Sequence, residues 1–439
     1  MPSASLHRHF EPTPFWWERS PPPERALELP EGPVDVLIVG AGYSGLFTAL
    51  ALARGGRSVL VLEADAIGTH ASSRNFGAIG RTIRISFSEL AARDGLQTAI
   101  RVYEEAKAWV EFTASFIERE NIDCGFHRNG RVVAAHSAAA FDAMARELEC
   151  MQEHIEVDTH LLSAAEQRDE LGSDVYHGCA VLGDAAHLDP GRYLHGVLQR
   201  VEQAGAIVVG GTRVIGIERD RSTFSVLTQN RRIDAREVVL ATNAETGTDN
   251  ARFRFFRRRL VPVELYSAVT TALDPALLAS VFPKSRTTLE TRRLYLGLRP
   301  IESDNRLLVV GRHMRPYRKL EHAAADLKAD LVQRYPALEP VQFSHLWPGR
   351  FAVTFDWLPH LGSHDGIHYL MGLNGAGVPA AAYLGHKLAQ RILDKPNRES
   401  VFADRPFPSR TGYTGSAWFL PPLAEWFRFR DRREARLAR

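Results

Sequence analysis

Three glycines, Gly40, Gly42 and Gly45, stand at the spacing of a phosphate-binding turn in VDVLIVGAGYSGL. The first allows a tight turn, the second lets backbone approach a pyrophosphate, and the third lets a helix pack closely on the preceding strand. The helix entered at Tyr43 and Ser44 then offers free amides and the positive end of its dipole to the phosphates. Such a pattern alone is weak. Here it comes after an apolar strand, opens a helix, and is answered by Glu63 at the tip of the next strand, SVLVLEA. A carboxylate there, with Ala64 beside it, can accept both ribose hydroxyls of a dinucleotide and repels a 2′-phosphate.

The stretch beyond Glu63 separates the possible dinucleotides. In a nicotinamide dehydrogenase the parallel alternation continues directly, whereas this chain breaks into ADAIGTHASSRNFGAIGR. Small residues let backbone run beside a long extended cofactor, and Ser72, Ser73, Arg74 and Asn75 bring donors and acceptors to it. The segment therefore predicts FAD, lying along its pyrophosphate and flavin end. Two later stretches agree. VVLATNA (238–244) is a buried strand ending in small polar residues, Asn243 among them. GLNGAGVPAAA (372–382) is a strand-to-helix turn carrying Gly375, Gly377 and Val378. That turn aims helix amides at the pyrimidine edge of a flavin, which becomes anionic on reduction.

These groups need strands and helices to hold them. VDVLIVG and SVLVLEA read as strands buried on both faces, with LFTALALARGG a helix between them. One helical pattern covers 89–119 and another runs over 185–205, started by Asp189 and Pro190. VPVELYSAVTTAL, RRLYLGLRP and RLLVVGRH read as half-exposed strands of a mixed sheet. The fold class expected is α/β, a doubly wound FAD/NAD(P)-binding domain interleaved with a mixed-sheet α+β substrate domain. The nucleotide domain is placed at 33–95, 187–260 and 345–400, and the substrate domain at 96–186 and 261–344. Residues 1–32, with seven of the 24 prolines, are expected to be an irregular tail, and 401–439 a C-terminal extension.

The 439 residues are enough for two or three domains, and 45% hydrophobic with 24% charged content is that of a soluble globular protein. A formal net charge of +2 offers no reason to expect nucleic acid. Cys124, Cys150 and Cys179 are widely spaced without histidine partners, which argues against a disulfide framework or structural zinc. No histidine grouping suggests a metal site or a hydrolytic triad. With no signal peptide or membrane span legible, a cytoplasmic enzyme is expected.

The motifs in their order and spacing resemble those of the D-amino-acid oxidase-like FAD-dependent oxidoreductases, which include glycine and sarcosine oxidases. The residues that carry the resemblance are VLIVGAGYSGL…VLEA, SSRNFG, LDPGRYLHGV, TRVIGIE, VVLATNA, PVELY and WPGRFAVTFDWLPHLG…YLMGLNGAGVPAAAYLGHKLA. The tryptophan-bearing N-terminus and the terminal SAWFLPPLAEWFRFRDR are similar to the γ-glutamylputrescine oxidoreductase-like branch. The resemblance implies that Val214 offers backbone to the adenine and that Arg350 and Asp356 lie near the flavin edge. It also implies non-covalent FAD, because no cysteine stands at Pro348 or Gly349. Where sarcosine oxidase has a carboxylate-binding lysine, this chain has Pro379. No lysine stands in RLLVVGRH, so O2 and a separate electron acceptor both remain open.

The chemistry so implied is hydride transfer from the carbon next to nitrogen in a small-molecule amine, with hydrolysis of the imine as the second step. The cofactor carries the hard step, so no acid–base residue is required and none is assigned. Arg81 and Arg312 are the expected partners of an acidic substituent, with Tyr266 as aromatic wall. His313 is read as facing the pocket or packed, and Asn374 as a further substrate contact. Oxidation of a 2-hydroxy acid, with a base such as His313, is the rival chemistry. A flavin-binding partner without turnover is the rival of another class.

Overall fold

The computed structural model describes residues 5–23, 28–247 and 251–437. Its first sheet grows from the strand Val34–Val39, whose Leu37 and Ile38 are wholly buried. Val59–Leu62 and Arg232–Leu240 flank it in parallel, and Ile207–Val209 and Ile367–Met371 extend the array on the outside. Parallel strands need crossovers, and the helices Tyr43–Arg54, Leu96–Arg119, Pro190–Gln203 and Gly377–Ile392 pack over one face. The antiparallel strands Val214–Asp220 and Thr223–Thr228 close the other face together with Phe253 and Phe256.

The helical run expected over 89–119 is two helices, Phe87–Asp94 and Leu96–Arg119. They are broken at Gly95, whose φ of 91° ends the first. Leu96–Arg119 is expected to open the substrate segment, but its Trp109 and Phe116 lie in the core between the first sheet and its helices. The helix expected within 185–205 starts at Asp189 and Pro190 as expected, running Pro190–Gln203, with the Asp189 carboxylate capping the amides of Gly191 and Arg192 at 2.8 and 3.0 Å.

The second sheet has nine strands among the described residues. From one edge they run Leu6–Glu11, Phe343–Val353, Val261–Thr270, Arg306–Gly311, Leu296–Ile301, Thr287–Glu290, Arg131–Ala134, Cys179–Leu182 and Thr159–Leu162. Its central strands are buried on both faces rather than half-exposed. Tyr266, Leu307 and Val309 pack with Leu327 and Leu331 of the helix Leu320–Arg334, while Leu265, Ser267 and Val310 face the first sheet. Alternation along a strand places neighbours on opposite faces, and here both faces are covered.

The proline-rich start is more ordered than its composition suggests. Leu6–Glu11 is an edge strand parallel to Phe343–Val353, and its prolines lie outside that pairing. Phe15 and Trp16 pack on Trp347. At the other end, Leu420–Leu437 is a helix that buries Leu420 and Ala424 against Val261 and Val353. No helix among the described residues is long and apolar enough to cross a membrane.

Candidate functional site

A cleft of about 1840 Å³, part of it open to solvent, runs between the two sheets. Its floor is made where the parallel strands end: Gly40 and Gly42 after the first, Glu63 and Ala64 after the second, Ala241 to Glu245 after the third, and Leu373 and Gly375 after the fourth. Ligands of open α/β sheets bind at this carboxyl edge.

At the outer end the glycines act by what they leave out. A Cβ on Gly45 would stand 1.9 Å from the Gly40 carbonyl oxygen, so the helix Tyr43–Arg54 seats against the strand only with glycine there. A Cβ on Gly42 would meet nothing but Ser72 Oγ, at 3.1 Å, because that side is the cleft. The helix start has no side-chain cap from its own N-cap residue, so beyond the Tyr43 amide, which Ser72 takes, its first amides are left to the cleft. Glu63 accepts from the amides of Ala41 and Ala64, each at 2.9 Å, so its carboxylate is held at the cleft wall.

The segment 69–81 forms one long side of the cleft. Its short helix Ala71–Arg74 places Ser72 to accept from the Tyr43 amide at 3.1 Å. Asn75 Oδ1 accepts from the Gly77 amide at 2.7 Å, and Nδ2 donates to Ala71 and Ser72 carbonyls. Arg74 donates to the carbonyls of Thr69 and Pro348, at 2.6 and 3.1 Å, tying the segment to the second sheet. At the inner end the helix Gly377–Ile392 also starts without a side-chain cap. Asn243 accepts from the Gly372 amide at 3.0 Å and fixes the turn that leads into that helix.

Of the residues expected to hold the cofactor, Gly40, Gly42, Tyr43, Ser44, Glu63, Ala64, Ser72, Arg74, Asn75, Asn243, Arg350, Gly375, Gly377 and Val378 line this cleft. Four do not. Gly45 lies behind Gly40, and Ser73 is buried, donating to Gly68 and accepting from Trp17 at 2.8 Å. Val214 pairs with Thr228, while its neighbour Arg213 lines the wall. Burial pushes the Asp356 carboxyl up, but the bond to His360 at 3.1 Å, the charge of His360 and the bonds to Thr354 and the Leu358 amide together outweigh this and hold it below its usual range.

Four of the expected substrate residues fall elsewhere, and the fifth, Arg312, stands beside the cleft wall rather than in it. Tyr266 points to the far face, bonded to Glu264 and to the Tyr317 amide, because Leu265 and Ser267 are the ones that face the cleft. His313 shares that far face, with its ring between Tyr317 at 2.6 Å and Asp330 at 3.2 Å. Arg81 pairs with Asp184 and donates to the Glu156 carbonyl at 2.8 Å. Asn374 is spent on its own turn, accepting from the Thr354 amide at 2.9 Å. Arg312 alternates with the wall residue Val310, and its guanidinium lies over the Tyr295 ring at 5.9 Å.

The inner end brings in groups that motif reading passed over: Arg84, Arg131, Thr82, Tyr295 and Ser267, between apolar walls of Phe76, Leu289 and Phe351. Arg84 donates to the Asn374 carbonyl at 2.9 Å and to the Tyr295 hydroxyl at 3.5 Å. Burial pushes the Arg131 guanidinium down to about 10 and lowers Arg312 as well. Burial would raise the Tyr295 phenol, but the charges of Arg84, Arg312 and Arg131 and the bond from Arg84 together outweigh it and hold the group below its usual value. Nothing in the sequence sets Arg84 apart from Arg81, since both stand in an irregular loop with no periodicity to read.

Away from this cleft, His136, Asp431 and Glu434 form the one group of potential metal ligands among the described residues. Arg293 already bonds both carboxylates at 2.9 Å.

Residues 35–391 match the family described as FAD dependent oxidoreductase. The γ-glutamylputrescine oxidoreductase of Escherichia coli K12 is 28% identical over 400 residues, covering 91% of this chain and 93% of the relative. A probable oxidoreductase, OrdL, of Haemophilus influenzae is 26% identical over 380 residues, 86% of this chain and 87% of the relative. Among solved structures, glycine oxidase from Geobacillus kaustophilus superposes with a TM-score of 0.68 at 22% identity, covering 87% of this chain and 99% of that one. That likeness shows the fold.

Proposed function

This chain belongs to the family of FAD-dependent oxidoreductases, and on that premise we propose that it oxidises a small amine or amino acid at the carbon bearing nitrogen. The observation that carries the reading is the continuity of the cleft. The glycine turn and Glu63 at one end join, past two uncapped helix starts, a polar chamber at the other. FAD held there, by Glu63 at the ribose, the Tyr43–Arg54 helix start at the phosphates and the Gly377–Ile392 helix start at the pyrimidine edge, would supply the hydride acceptor.

The protein's own part is to orient the substrate, exclude water and keep its nitrogen unprotonated. Phe76, Leu289, Val310 and Phe351 form apolar walls around the chamber. The acidic residues of the cleft wall, Glu63, Asp65 and Glu245, stand by the glycine turn and by Arg350. None of them pairs with Arg84, Arg131 or Tyr295, so an ammonium at the inner end meets cations rather than a counter-ion. Neighbouring positive charge favours the neutral amine, whose lone pair assists loss of the hydride.

The rival oxidation of a hydroxy acid needs a base for the hydroxyl proton. Among the described residues His70 is the one histidine in the wall, and it bonds Asp65 at 2.8 Å beside the glycine turn. His313 lies on the opposite face of the sheet. Non-covalent attachment is the reading kept, and Cys124, Cys150 and Cys179 lie outside the wall, which argues against a cysteinyl link. Reoxidation then falls to O2 or a separate carrier.

The test is anaerobic mixing of the FAD-loaded protein with a panel of amines, N-methyl amino acids and 2-hydroxy acids. Bleaching of flavin absorbance by amines alone supports the reading, and bleaching by hydroxy acids alone overturns it.

A further inference from the structure

The inner chamber concentrates positive charge without an answering acid. Arg84 and Arg312 hold their guanidiniums 5.7 and 5.9 Å from the centre of the Tyr295 ring, so both stand beside the same phenol. Arg131, only 5% exposed, adds a third, anchored by Thr82 Oγ1 at 3.3 Å and the Ile79 carbonyl at 3.2 Å. The Nε atoms of Arg131 and Arg312 are buried without a hydrogen-bond partner. Among the described residues no carboxylate lies within 4 Å of any of the three. The nearby Asp184 pairs instead with Arg81.

Elsewhere a buried guanidinium is paired or spent on carbonyls: Arg299, 3% exposed, donates to those of Phe76 and Leu188. Arg334, 4% exposed, is bonded to Glu290 at 2.9 Å and Asp330 at 3.0 Å, and Arg292 also pairs with Glu290. Buried charges persist when paired, and a planar guanidinium matches a carboxylate through two parallel hydrogen bonds. One carboxylate neutralises one guanidinium. Three in a half-dry chamber exceed what a single acidic group can answer.

We propose that the substrate is an amine carrying two carboxylates, held by Arg84, Arg131 and Arg312 around the Tyr295 hydroxyl. Tyr295 donates its proton to one acid group, and the guanidiniums share the two. The apolar residues Leu289 and Val310 then face the carbon skeleton. The inference rests on the amine-oxidation reading for the amine alone, and binding of non-oxidisable acids tests it separately.

In the FAD-loaded protein, succinate and butyrate have the same chain length and differ by one carboxylate. Titrated by the perturbation of flavin absorbance, succinate is expected to bind at least about 10-fold more tightly than butyrate. N-methylaspartate is expected to surpass N-methylalanine by a similar factor in the substrate concentration that half-saturates flavin reduction. Arg312→Gln should bring the succinate-to-butyrate ratio near one while FAD is retained, and Arg312→Lys should restore part of it. Arg131→Gln should do the same, with Arg312→Gln deciding if that buried variant fails to fold. Equal binding of the two acids, or a preference that survives in a folded Arg312→Gln, overturns the proposal. So does efficient bleaching by amines without any acid group, which would leave amine oxidation standing. A strong dicarboxylate preference with no amine oxidised would uphold the site and sink the function.

Discussion

Two single-methyl substitutions in the glycine turn separate folding from cofactor binding. In Gly45→Ala the new Cβ would stand 1.9 Å from the Gly40 carbonyl oxygen and 3.1 Å from its carbon, so backbone rather than a flexible side chain must yield. That is roughly 1.5 Å short of ordinary contact, and overpacking of this kind costs about 3 kcal/mol or more. Alanine gains about 1 kcal/mol over glycine within a helix, so the loss runs against propensity. The melting temperature of cofactor-free Gly45→Ala should fall by several degrees. In Gly42→Ala the Cβ meets only Ser72 Oγ, at 3.1 Å, and the cofactor-free protein should melt as wild type does. Its methyl instead occupies the space a pyrophosphate needs, so FAD affinity should fall at least about 10-fold. Thermal melts before and after FAD titration read both effects. Wild-type FAD affinity in Gly42→Ala would refute the placement of the phosphates, and an unchanged melt in Gly45→Ala would refute the helix seating.

Glu63→Ala should weaken FAD binding about 10- to 100-fold, the worth of a charged hydrogen bond to ribose, measured by titration of stripped protein. Acid precipitation should leave the flavin in the supernatant, and a yellow pellet would mean a covalent link. Burial, then the charges of Arg299, His127 and Arg131, push the His187 imidazole from 6.5 down to about 3. The unfolded chain therefore takes up a proton between those values that the folded one refuses. The stability tied to neutral His187 is complete above pH 6.5 and falls by up to about 1.4 kcal/mol per pH unit on acidification toward 3. His187→Gln should flatten that part of the stability profile in urea melts, and an unchanged acid slope would show that His187 is not its source.

The outer half of the site is legible in the sequence because it is local. The strand, the glycine turn, the helix and Glu63 lie within a few dozen residues, and each carries a backbone requirement that shows in residue type. The inner half is assembled from separated strands, where a one-residue difference in register reverses the face. Tyr266 is expected in the chamber, but Leu265 and Ser267 face it. Arg312 and His313 are both candidates by sequence, and alternation sends them to opposite sides of the sheet. Arg81 and Arg84 lie in one loop, and only the ion pair with Asp184 shows that Arg81 is already taken. The prolines of the first 32 residues hide an edge strand because they fall just outside it.

The claim of oxidation at the carbon bearing nitrogen is tested most directly in a single anaerobic turnover. The FAD-loaded protein is mixed with its best amine substrate, with and without deuterium at that carbon. The account predicts that deuterium slows the loss of flavin absorbance and that one carbonyl product appears for each flavin reduced. Bleaching at the same rate with both substrates, or without carbonyl product, would contradict it.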